Sequence, residues 1–214
     1  ISFCRGRMKF SARDAETLKL IQMWRRDVRH FKTDAVPEEV LERLRAAMDT
    51  APSVGNARPW RVIRVEDPGL RQEIRGAFEG SNEKAASGYE PERQIAYRSL
   101  KLAGLDAAPV QLAIFTAIDP DAGHSLGRRT MPATLQQSVA MAIHALWLTA
   151  RAENLGLGMV SILDPARMQT ILNVGPDWEF AAYLCIGWPE FTDDTPLLHR
   201  KGWQENARTE WEVR

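Results

Sequence analysis

The chain has 214 residues, 44% hydrophobic and 26% charged, ordinary values for a globular protein and enough to bury a sizeable core. Lys+Arg and Asp+Glu number 28 each, so the formal net charge is zero. The basic excess of a nucleic-acid-binding domain is absent, and any cluster of one charge is a local feature. No apolar run approaches the roughly 20 residues of a membrane-spanning helix. The start, ISFCRGRMKF, lacks the apolar stretch of a secretory signal peptide. Cys4 and Cys185 have neither a CxxC partner nor a histidine at ligand spacing, and Cys185, inside an apolar run, is expected to be a small buried hydrophobe. This cysteine usage fits a reducing cytoplasm.

Residues 15–26 (AETLKLIQMWRR) read as a short helix with Leu18, Ile21 and Gln22 near one face, running into an arginine cluster. Residues 37–49 open with Pro and two acids, which mark a helix start, and Val40, Leu41, Leu44, Ala47 and Met48 then recur at helical spacing. The loop APSVGNARP (51–59) precedes a strand, WRVIRV (60–65). Residues 68–79 read as helix, 80–92 as a polar, turn-rich segment, and 93–105 as a second helix; together 80–104 form a candidate lid. VQLAIFTAI (110–118) is apolar on both faces and reads as a central strand, followed by a long loop. Residues 135–155 make the longest helix, apolar nearly all round, with Gly156 as its expected C-terminal cap. LGMVSIL (157–163) is a strand, DPARMQTILN a short helix and FAAYLCIGW (180–188) a buried strand. With no internal repeat and no dividing linker, residues 1–214 read as a single α+β domain, and the apolar long helix hints at a subunit interface.

No P-loop, GxGxxG after a strand, HExxH or GxSxG occurs. The four histidines are scattered, and His144, among apolar residues in the long helix, is expected to be a satisfied core histidine. The informative stretch is WRRDVRHF (24–31), where Arg25, Arg26 and Arg29 surround the one acid, Asp27. Three guanidiniums repel unless more negative charge joins them. A phosphate gripped by Arg25 and Arg29 from one helical face would supply it, and so would acids elsewhere in the chain.

RRDVRHF, APSVGNARPW, LWLTARAENLGLGMVSIL, AAYLCIGWP and HRKGW, in this order from about residue 20 to about residue 205, resemble the nitroreductase-like flavoproteins. The resemblance implies an α+β fold with a mixed central sheet flanked by helices. It also implies a homodimer with FMN between its subunits and a C-terminal tail extending to the partner subunit. Ordinary members carry R-x-S-x-R; Asp27 in RRDVR instead resembles a branch that spends its flavin. That branch fragments reduced FMN with O2 to 5,6-dimethylbenzimidazole, the lower ligand of vitamin B12 (cobalamin), and erythrose 4-phosphate, without a metal. An external flavin reductase or NAD(P)H would supply the electrons. Carried to this chain, the catalytic residues are Asp27 and Ser161. The flavin is then bound by Arg25, Arg26, Asp27, Val28, Arg29, Ser53, Gly55, Leu102 and Ser161, with Leu102 in the lid. Lys201 falls where relatives contact phosphate, but HRKGW lacks the arginine that follows it in them. Arg58, the segment TMPATLQQS with Gln137, and Met159 also depart from the branch pattern. The other reading is an NAD(P)H-dependent nitroreductase or flavin reductase that keeps its FMN.

Overall fold

The computed structural model describes residues 8–100 and 102–214; Cys4 lies outside them. The helices are α1 (Ala12–Trp24), α2 (Glu38–Asp49), α3 (Pro68–Ser87), α4 (Pro91–Arg98), α5 (Thr134–Ala152), α6 (Pro165–Ile171) and α7 (Leu197–Arg200). The strands are β1 (Trp60–Arg64), β2 (Val110–Ala117), β3 (Gly156–Val160) and β4 (Trp178–Gly187). Two helices start at Asp-Pro pairs. The Asp67 and Asp164 side chains accept from the backbone N–H of Leu70 at 2.8 Å and of Arg167 at 2.7 Å, while Pro68 and Pro165 occupy first-turn positions that need no donor.

The strands form one sheet in the order β1-β2-β4-β3, and each neighbouring pair is antiparallel. The expected mixed sheet therefore has no parallel strand pair among the described residues; the parallel contact is a single bridge between Asp27 and Leu157. β2 is central, as its two apolar faces require. Val110 and Ile114 join Ala182, Leu184 and Ile186 of β4 in a core under α2 and α5, while Ala113 and Phe115 join Tyr183 and Cys185 in a second core with Ile74 of α3 and Met168 of α6. The buried Gln111 is satisfied there, accepting from the Tyr183 hydroxyl at 2.8 Å and donating to the Leu105 carbonyl at 3.0 Å.

Several boundaries differ from the sequence reading. α1 ends at Trp24, so the arginine run is extended chain and Arg25 and Arg29 share no helical face. α3 continues to Ser87 through the segment read as turns, because its alanines and lysine are good helix formers. α4 stops at Arg98, which leaves Leu102 in a loop rather than a helix. Gly156 is the first residue of β3, not a cap; Asn154 takes the left-handed conformation (φ 62°) that turns the chain out of α5. β3 ends at Val160, so Ser161 lies just beyond the strand. α5 is not apolar to the core all round: Gln136, Gln137, Ala140, Met141 and His144 form an exposed stripe. His144 is thus a surface residue, not a core one.

Candidate active site

The extended run Arg25–Arg29 lies along β3 because β3 has glycine where the run passes. A Cβ on Gly158 would stand 2.1 Å from the Val28 carbonyl oxygen, and one on Gly156 would stand 2.8 Å from both Val28 γ-carbons. This close approach lets the Val28 N–H donate to the Leu157 carbonyl at 3.0 Å. It also places the Asp27 carboxylate over the end of β3. Its Oδ1 accepts from the Met159 N–H at 2.9 Å and its Oδ2 from Arg29 Nε at 2.8 Å. Both oxygens are therefore oriented, on a side chain that keeps 29% of its surface exposed. Ser161 follows Met159 by two residues, with an exposed side chain.

The three arginines are held in three ways. Arg29 pairs with Asp27 and is mostly buried. Arg26 donates through Nε to the Asp194 carbonyl at 2.9 Å and through a terminal nitrogen to the Met23 carbonyl. Arg25 lies over the Trp147 ring, 4.7 Å from its centroid, and burial followed by repulsion from Arg26 lowers its pKa. Among the described residues neither Arg25 nor Arg26 forms an ion pair with a carboxylate. Neutral partners orient both guanidiniums, and Asp27 acts on Arg25 without contacting it, an arrangement that fits an anion from outside.

Two cavities flank the run. A small one of about 80 Å³ is lined by Arg26–His30 with Phe191, Asp193, Thr195 and Leu197. A larger one of about 500 Å³ lies between Arg25, Met159, β4 and the α5 face carrying Val139, Ile143 and Trp147. Thr116 Oγ1 and Trp147 Nε1, both in its walls, are buried without a hydrogen-bond partner among the described residues. No group of three or more His, Cys, Asp or Glu among the described residues is placed to hold a metal ion.

Ser53 and Gly55 are not brought to Asp27 within this chain. The loop that carries them is tied to α5 by the Val54 N–H, which donates to Ser138 Oγ at 3.0 Å. Ser138 and Trp147 are nine residues apart, about 13 Å along the axis and half a turn out of phase. The Ser53–Gly55 loop and Arg25 thus sit on opposite sides of α5. Gly55 also has a reason internal to the fold: at φ 57° a Cβ would meet the Gly123 carbonyl at 2.9 Å. The loop holding Leu102 passes near the arginines, since a Cβ on Gly104 would lie 3.4 Å from the Arg29 carbonyl oxygen. Lys201 is exposed at the end of α7. Arg58 faces Asp49 at 3.7 Å.

Sequence reasoning missed the Met159 N–H, Trp147 and the Asp194 carbonyl. For the first a signal existed: alternate glycines in a strand, as in Gly156-Leu157-Gly158, mark the close approach of another backbone.

The nitroreductase family model matches residues 23–188. The chain belongs to the nitroreductase family. It is 62% identical over 207 residues to a 5,6-dimethylbenzimidazole synthase of Rhodobacter capsulatus, covering 97% of this chain and 100% of that one. It is 51% identical over 187 residues to the 5,6-dimethylbenzimidazole synthase of Rhodospirillum rubrum, covering 87% and 89%. In three dimensions it is similar to oxidized iodotyrosine deiodinase solved with FMN and 3-iodo-L-tyrosine. The TM-score is 0.71 at 23% identity, over 92% of this chain and 97% of the other, which supports the α+β nitroreductase-like fold. No helix among the described residues is long and apolar enough to cross a membrane.

Proposed function

We propose that this chain is a cytoplasmic 5,6-dimethylbenzimidazole synthase, which spends reduced FMN and O2 to release 5,6-dimethylbenzimidazole and erythrose 4-phosphate for cobalamin biosynthesis. Family membership and the 62% identity to a named synthase support it. The observation that carries it is Asp27: a carboxylate with both oxygens oriented, beside two guanidiniums that no carboxylate among the described residues contacts.

FMN supplies the dimethylated ring and the reducing electrons. Arg25 and Arg26 attract its phosphate, and Arg29 holds Asp27 in place. The Asp27 carboxylate takes and returns protons at its oxygens, and the Ser161 hydroxyl both donates and accepts a hydrogen bond. The segment 80–104, with Leu102 in it, would exclude water as a lid. Electrons reach free FMN from an external flavin reductase or NAD(P)H.

The site is completed by a second copy. Within one chain the residues expected to hold the flavin stand apart, with the Ser53–Gly55 loop across α5 from Arg25. A homodimer in which α5 meets its counterpart would bring the Ser53–Gly55 loop of the second copy to Asp27 of the first. It would also cover Leu18, Leu20, Met23 and Trp24 of α1 and Met141 of α5, all exposed in the single chain. The C-terminal tail, with Trp211 and Val213 exposed, would reach the other subunit. Light scattering at micromolar concentration checks this, with a mass twice that of the chain expected and a monomer mass refuting it.

The functional test is a single turnover. FMN is added in equal amount, reduced without oxygen, and exposed to air; the products are read by mass spectrometry. Dimethylbenzimidazole is expected from the natural chain and not from Asp27→Asn or Ser161→Ala. FMN recovered whole, with steady NAD(P)H oxidation, would favour the second reading, a reductase that keeps its flavin. Met159 and Arg58, in place of the Trp and Gln of the branch pattern, are the features that favour it.

A further inference from the structure

We propose that the C-terminal segment 193–203 latches the lid, with Trp203 as a positioning residue; the latch rests on reading 80–104 as the lid of the Asp27 site. α3 and α4 are tied together as a unit. Arg98 makes two hydrogen bonds to Glu83 at 2.7 and 2.6 Å, the Tyr97 hydroxyl donates to Asn82 at 2.7 Å, and the Gln94 amide donates to the Ala86 carbonyl at 3.1 Å. The outer side of this unit is closed from elsewhere in the chain. Trp203 meets Tyr89 edge-on at 5.5 Å and Tyr97 at 6.1 Å, and the Arg93 guanidinium covers its ring 4.5 Å from the centroid. Tyr97 is thereby buried.

The tail is shaped to present this ring. Gly202, at φ 66°, reverses the chain after α7, and the Trp203 N–H then donates to the Leu198 carbonyl at 2.9 Å. α7 is in turn fixed by Arg200, whose Nε donates to Asp193 Oδ2 at 2.6 Å and whose terminal nitrogen donates to Oδ1. The next residue, Asp194, offers its carbonyl to Arg26. An unbroken run of contacts therefore joins the arginine cluster to the lid through eleven residues of tail. An anion that draws on Arg26 acts on a side chain that also holds this tail, so the arginine cluster and α4 are linked through the same segment.

A held lid keeps reduced flavin from the plain side reaction in which FMNH2 and O2 give FMN and H2O2. Trp203→Ala, Trp203→Phe and Arg200→Gln test the latch. The first readout is hydrogen exchange of residues 91–100 in the flavin-free protein, with β2 and β4 peptides as internal controls. Loss of these aromatic and cation–π contacts is expected to raise α4 exchange about tenfold in Trp203→Ala, with a smaller rise in Arg200→Gln, which frees the tail through a half-exposed ion pair, and Trp203→Phe near the natural chain. The second readout is H2O2 formed per dimethylbenzimidazole, expected to rise in the same two variants and to return with phenylalanine. Unchanged α4 exchange in both variants overturns the latch. Should Trp203→Ala fail to fold, Arg200→Gln decides. If the natural chain makes no dimethylbenzimidazole while α4 is still freed, the latch stands and the synthase reading fails. If product forms but α4 exchange is unmoved, the reverse holds.

Discussion

Gly158→Ala is the sharpest test of how the site is built. A Cβ there would lie 2.1 Å from the Val28 carbonyl oxygen, and 3.0 Å is about the least that folded chains show, so residues 27–29 must retreat by about 0.9 Å. The Val28–Leu157 hydrogen bond starts at 3.0 Å and leaves hydrogen-bond range with that movement, and the Asp27–Met159 contact opens with it. The first bond is worth about 1 kcal/mol and the second, to a partly exposed carboxylate, about 1.5–2; the lower entropy of unfolded alanine offsets about 0.5–1. The net loss is about 1.5–2.5 kcal/mol, or about 3–10 °C in Tm for a chain of this size. Thermal unfolding by circular dichroism reads the stability, and FMN affinity, measured by fluorescence quenching, is expected to fall by at least about tenfold because the carboxylate and guanidiniums move together. Gly76→Ala is the matched control. Gly76 lies exposed inside α3, and a methyl added there would meet nothing within 4 Å, so alanine should stabilise by about 0.5–1 kcal/mol. A Gly158→Ala protein with Tm and FMN affinity equal to the natural chain would refute the account of residues 27–29 on β3.

Asp27→Asn keeps an acceptor for the Met159 N–H but turns an amide or loses an acceptor toward Arg29 Nε; a loss of about 1–2 kcal/mol in urea unfolding is expected, with product formation abolished. Burial pushes the Cys185 thiol up to about 12, so in a Cys4→Ser background Ellman's reagent at pH 8 should react within minutes only after unfolding. The Arg200 hydrogen bonds lower the Asp193 pKa to about 2, against an unfolded value of about 3.9. A depressed carboxyl pKa stabilises fully above the unfolded value and is lost as pH falls through the folded one. The protection of α4 should therefore weaken between about pH 4 and pH 2, and Asp193→Asn should reduce that dependence to the part carried by Glu83, whose carboxyl the Arg98 hydrogen bonds also lower, as read by pulsed hydrogen exchange.

The sheet and the long helix were legible because burial writes a period into the sequence. The two-sided apolar run of β2 and the buried side of α5 (Val139, Ile143, Leu146, Ala150) follow from that alone. The polar side of α5 was misjudged, since alanine and methionine at 140 and 141 look the same in a core and on a surface awaiting a partner. Helix ends were less legible. The spacing of Leu18, Ile21 and Gln22 carries a helix to residue 26, and nothing in the local sequence ends it at Trp24. What stops it is tertiary: the bridge of Asp27 to Leu157, open only because Gly156 and Gly158 are bare.

The same limit explains the site. RRDVR announced a surplus of positive charge, but not whether acids elsewhere would cancel it. Arg43, Arg45, Arg64, Arg75 and Arg98 all find carboxylates on the surface, each a contact of little stability. Among the described residues Arg25 and Arg26 do not; a tryptophan ring and two backbone carbonyls hold them instead. Partners of that kind fix direction without lowering charge. A fold gains little from charge kept this way, since an apolar residue at 25 would pack on Trp147 without the cost of partly burying a guanidinium. The arrangement becomes favourable only when an anion arrives. Replacing Arg25 by methionine should therefore leave Tm unchanged or raise it slightly while weakening FMN binding by about tenfold or more; a lowered Tm with FMN affinity intact would mean that Arg25 serves the fold alone.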